Sequence, residues 1–128
     1  MLFRSGILDV GCPSELTRLT TDDAAITSQI SGMVAQGETY IPAGVMWGLR
    51  VLSPNPPFAD GAPYNSTKKI MIVMTDGFNT KSQHNTDHEG SDTNDANAAM
   101  AQLCSVARAS NIEMYTIAFQ VRDRKSVV

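Results

Sequence analysis

Asp76 closes the apolar run Ile70-Met71-Ile72-Val73-Met74-Thr75 and is followed by Gly77. An apolar run without polar alternation predicts a strand covered on both faces, as in a parallel sheet. A carboxylate at the end of such a strand sits at the rim where open α/β sheets keep their sites. Thr39 stands just ahead of Pro42, a proline suited to the first turn of a helix. A hydroxyl and a carboxylate at a sheet rim are hard oxygen ligands, suited to Mg²⁺, Mn²⁺ or Ca²⁺ rather than zinc. Two protein oxygens cannot fill a six-coordinate shell, so such a site needs further ligands and water. Taken only as a pair, the two residues have a simpler reading: Thr39 caps a helix and Asp76 forms an Asp-Gly turn.

A second group is His84, Asp87, His88, Asp92 and Asp95. Its residue types suit a zinc or two-metal hydrolytic site. His84 and His88 share a face only if the segment is helical, whereas Asn85, Thr86, Asp87 and Gly90 favour a solvated loop with incidental histidines.

The elements that must position these residues follow from patterning. Residues 2 to 10 read as a strand with an irregularity at Gly6. Thr20-Thr21-Asp22-Asp23 starts a helix. Ile26, Ile30, Met33 and Val34 recur at helical spacing, which carries that helix to about Gln36, with Gly37 ending it. A second helix runs from about Pro42 to Leu52, and the prolines between 53 and 66 make a rigid connection. A strand spans 69 to 75, and a long polar loop follows from 77 to 95. A third helix starts near Asp92 to Asp95 and ends at about Ser110 and Asn111; residues 112 to 121 form a second strand, before a polar tail at 122 to 128. Strand, crossover helix and strand predict parallel pairing with a right-handed crossover. Trp47, Met71, Met74, Met100 and Met114 fall on the predicted apolar faces and are expected in the core.

Composition bounds the reading. The chain has 128 residues, 42% apolar and 18% charged, with net charge −3, which suits one globular domain or part of one. Lys and Arg are scattered, so nucleic acid is not an expected partner. No segment reads as transmembrane or as a signal peptide. Cys12 and Cys104 form no metal-type pair; they are a disulfide, unlinked thiols, or cysteines whose partners lie outside this chain. No phosphate-binding loop, dinucleotide fingerprint or nucleophile elbow is present.

Several blocks together are more specific. They are Gly37-Glu38-Thr39-Tyr40-Ile41-Pro42-Ala43-Gly44, Trp47 to Pro54, Phe58 to Tyr64, Lys69 to Asn79, and Tyr115-Thr116-Ile117-Ala118-Phe119. In order and wording, across about residues 12 to 121, they resemble the von Willebrand factor A-like domain of TadG-type pilus-assembly proteins. The resemblance implies a Rossmann-like, mostly parallel α/β sheet flanked by helices, with a metal-ion-dependent adhesion site. In that family one loop carries Asp-x-Ser-x-Ser, a second supplies a threonine that maps onto Thr39, and a third supplies an aspartate that maps onto Asp76. The ion bridges to an acidic group of a protein partner and does no bond chemistry. Gly77 and Asn79 would support the loop, Gly77 by allowing a sharp turn. The location implied is the cell envelope, on its periplasmic or extracellular side.

This sequence departs from the family in lacking Asp-x-Ser-x-Ser. Asp9-Val10-Gly11-Cys12-Pro13-Ser14 comes nearest, but lacks the first serine and lies too close to Thr39. Glu38 and Tyr40 also stand where a glycine and a small polar residue are common. The chain is expected to be the C-terminal part of such a domain, binding its ion weakly, with a sheet edge open to self-association. Two other readings stand beside this non-enzymatic one. One is a metal-dependent hydrolase using Asp76 with His84, Asp87 and His88; the other is a structural fragment with no working metal site.

Overall fold

The structure, a computed structural model, describes residues 14–34, 39–80, 82 and 93–119. The predicted strand at 2–10, the histidines His84 and His88 with Asp87 and Asp92, Cys12, and the tail at 122–128 lie outside the described residues. The chain divides into two compact units, Met1–Gly37 and Glu38–Val128.

The first unit holds α1, Asp23–Ser31. Its start follows the expected chemistry: Asp22 Oδ1 accepts the N–H groups of Ala24 and Ala25 at 3.0 and 3.1 Å, and Thr20 Oγ1 accepts the Asp22 N–H. Its end does not. The helix stops before Gly32, whose N–H donates to Ser28 O at 3.0 Å, and so is shorter than the spacing of Met33 and Val34 predicts. A glycine inside a helix costs about 1 kcal/mol against alanine. Nothing offsets that cost, because α1 buries none of its residues and Ile30, Met33 and Val34 are all exposed.

The second unit is a mixed α/β fold. Its elements are α2 (Ile41–Leu52), β1 (Lys69–Thr75), α3 (Thr93–Ala109) and β2 (Ile112–Ala118). β1 and β2 pair in parallel, with Lys69 opposite Ile112 and Thr75 opposite Ala118. α3 ends as Asn111 takes up the left-handed region at φ 55°, with its N–H donating to Arg108 O. The core is Val45 of α2, Met71 of β1, Met100 and Ala107 of α3, and Ile112 of β2, with Leu49, Leu52, Leu103 and Met114 packed against it.

Three expectations fail in this unit. β1 is covered by its own unit on one face only: Ile70, Ile72 and Met74 are exposed, because among the described residues of this unit no element packs on that side. Met74 therefore leaves the core. Trp47 leaves it too, lying at the surface against Phe58, with the Arg50 guanidinium 4.6 Å from its ring centre. The described part of β2 is Ile112–Ala118, and residues 120 and 121 of the predicted strand lie outside the described residues.

The two lysines that open β1 part company. Lys68 stays in solvent and pairs with Glu113 at 2.9 Å. Lys69 is buried; its Nζ donates to Leu52 O and Ala62 O and lies 4.5 Å from the Tyr64 ring centre. The same connection is tightened by Tyr64 Oη donating to Ser53 Oγ and by Gly61 N–H donating to Ser53 O.

A Cβ on Gly61 would lie 2.1 Å from Leu52 O, a backbone atom that also receives the Lys69 ammonium. Gly61→Ala should therefore destabilise the chain by about 2 kcal/mol or more in urea unfolding. The Lys68 hydrogen bond holds the Glu113 carboxyl below its ordinary value. A depressed carboxylate adds stability above its unfolded value and loses it as pH falls through the folded one. Lys68→Ala should return the Glu113 titration upward by NMR, with little change in stability because the pair is solvated.

Candidate functional site

β1 carries Asp76 to the C-terminal rim of the sheet, as its apolar run predicts. The turn there is made by Thr75: its Oγ1 accepts the Gly77 N–H at 3.3 Å and donates to Gly77 O at 3.1 Å. Gly77 contributes a backbone amide rather than glycine's conformational freedom. A Cβ at Gly77 would meet no atom within 4 Å, and its φ lies outside the left-handed region.

The chain after this turn runs beside the segment that leads into α2. Thr80 N–H donates to Thr39 O at 2.8 Å, and Thr39 N–H donates to Thr80 Oγ1 at 2.8 Å. Asn79 is buried; its Oδ1 accepts the Ile41 N–H at 2.8 Å and its Nδ2 reaches Asn97 Oδ1 of α3 at 3.4 Å. α2 has no side-chain cap from its own N-cap residue, Tyr40. Asn79 thus serves as a cap supplied from another segment, satisfying one of the free N–H groups of the first turn.

These bonds bring the Thr39 and Asp76 segments to one place. Both residues line a groove of about 550 Å³ that runs between α2 and β1, with Val45, Gly48, Met71 and Val73 deeper along it. Asp76 is exposed, and among the described residues no hydrogen bond or ion pair engages its carboxylate. Tyr40 also lines the groove, and burial raises its phenol above the ordinary value, so it stays a neutral hydroxyl at physiological pH.

Sequence reasoning located Thr39, Asp76 and Asn79 but passed over Thr80 and Asn97. Their signal was slight: Thr80 directly follows the Asp-Gly-Phe-Asn block, and Asn97 sits on the polar first turns of α3. Asp95, of the second cluster, lies in the first turn of α3. Among the described residues no three His, Cys, Asp or Glu side chains converge as a metal cluster. Cys104 is a free, half-buried thiol. Among the described residues no helix is long and apolar enough to cross a membrane.

No family model, curated protein or solved structure matches the chain.

Asn79→Ala should cost about 1–2 kcal/mol, because it removes a buried acceptor and leaves the Ile41 N–H unpaired. It should also sharply increase amide exchange at Ile41. Gly77→Ala should leave both measurements nearly unchanged.

Proposed function

We propose that the chain is a non-enzymatic interaction domain of the von Willebrand factor A-like kind. It would use a divalent cation at the C-terminal rim of its sheet to hold an acidic group of a protein partner. The reading rests on one observation: Thr39 and Asp76, far apart in sequence, line the same groove, the Thr39–Thr80 bonds holding the chain just after Asp76 beside Thr39.

The donor set fits a hard cation in type but is sparse in number. A carboxylate and a hydroxyl are oxygen donors of the kind Mg²⁺ and Mn²⁺ take. They fill at most about a third of an octahedral shell if each gives one oxygen, leaving water and a partner carboxylate for the rest. Affinity for the ion alone would be weak and would rise when the partner adds its own charge. The ion supplies electrostatic bridging only. Asn79 and Thr80 hold the two loops, and Tyr40 borders the groove as a neutral hydroxyl.

The blocks around Thr39 and Asp76 that resemble the TadG-type domain support a place in pilus assembly or the cell envelope. A covalent reaction is not part of the proposal.

Calorimetric titration with Mn²⁺ and Mg²⁺ tests this. Weak saturable binding should be lost in Asp76→Ala, fall at least tenfold in Thr39→Ala, and persist in His84→Ala. Stoichiometric zinc binding lost in His84→Ala would instead indicate a hydrolytic site. No binding by the folded chain would leave a structural role only.

A further inference from the structure

A second surface, which borders the groove at Ile72 and Met74, is built like half of an interface. Parallel pairing places Ile70 opposite Glu113, Ile72 opposite Tyr115 and Met74 opposite Ile117. Phe119 continues the row, with its N–H donating to Thr75 O at 2.9 Å. These residues share the face turned away from Met71, Met114 and the helices. Its six large side chains, Ile70, Ile72, Met74, Tyr115, Ile117 and Phe119, are each between 41% and 62% exposed.

We infer that this face packs against the same face of a second copy of the chain. The first support is area. The six side chains present on the order of 600 Å² of accessible surface, at or above the largest apolar patch of an ordinary monomer. Two such faces would bury about 1,200 Å², the lower limit of a stable specific interface.

The second support is the distribution of charge. Glu113 and its ion partner Lys68 sit at one end of the face, and Tyr115 Oη donates to Glu113 at 3.2 Å. The centre carries no charge, so the patch has an apolar middle and a polar margin. A two-fold axis between the sheets and across the strands sets Ile72 and Tyr115 against their counterparts. It also sends the two Glu113 carboxylates to opposite ends, so like charges do not meet. Sheets stacked this way lie about 10 Å apart and interdigitate their side chains. The geometry is isologous and closes at two copies.

Sedimentation equilibrium of the full chain is the test. Dimers of the 13.8 kDa chain should form with a micromolar dissociation constant. Ile72→Glu and Tyr115→Glu, both at solvated positions of the monomer, should each weaken association at least tenfold while far-UV circular dichroism is unchanged. Val106→Glu, on an exposed part of α3 off this face, should leave it intact. A chain that stays monomeric at about 100 μM would overturn the inference. So would a dimer that persists in the two face variants, which would place the contact at a strand edge, or equal sensitivity to Val106→Glu.

Discussion

The buried ammonium of Lys69 fixes the second unit at its base. A buried charge is costly unless its donors are satisfied. Here the partners are carbonyls and an aromatic face: Leu52 O at the end of α2, Ala62 O in the proline-rich connection, and the Tyr64 ring. The C-terminus of a helix carries partial negative charge, so α2 ends where a cation is most welcome. One side chain therefore ties α2, the connection and the first residue of β1 together. The close approach of Gly61 to the Leu52 carbonyl belongs to the same knot, since a bulkier residue there would displace an acceptor that Lys69 needs.

With the base fixed, the position of the rim follows. β1 is Lys69–Thr75, so anchoring Lys69 sets where Thr75 and Asp76 emerge. A second clamp closes the other end, where Asn79 and Thr80 bond the segment leading into α2. The bonds of that clamp engage backbone groups of Thr39 and Ile41. None uses the Thr39 hydroxyl or the Asp76 carboxylate, so the bonds that hold the two segments together do not consume those groups. The proposed ion site would need such an arrangement, with positioning by one set of groups and ligation by another.

Local signals made the element order legible. The Thr-Thr-Asp-Asp start of α1, Pro42 at α2, the apolar run of β1 and Asn111 after α3 each act through their own neighbours. Asp76 and Thr39 were legible because they stand at element ends. Long-range pairings were not. Nothing in the spacing of Thr80 says that it binds Thr39, and Lys69 reads like Lys68 until packing separates them. Nor did the apolar pattern report cover. Ile70, Ile72 and Met74 alternate with Met71 and Val73 in one apolar run, yet only Met71 is fully buried and Val73 partly so. α1 fails for a related reason. Met33 and Val34 keep the helical spacing, but both are exposed, so their burial does not carry the helix through Gly32.

The exposed face and the sparse donor set of the proposed ion site have a common origin in layer count. Stable domains bury each apolar face against a second layer. Among the described residues of the second unit the helices pack on one side of the sheet. Each large side chain left on the other side forgoes on the order of 1 kcal/mol of burial. A rim gathers donors from the strands that end there, and among the described residues only β1 and β2 do so. The same small sheet therefore limits both cover and coordination. In the two proposals a partner copy would supply cover for the face, and an acidic partner would supply oxygens at the rim. The two surfaces meet at Ile72 and Met74, which lie on the face and also line the groove, so a contact made at one would be felt at the other.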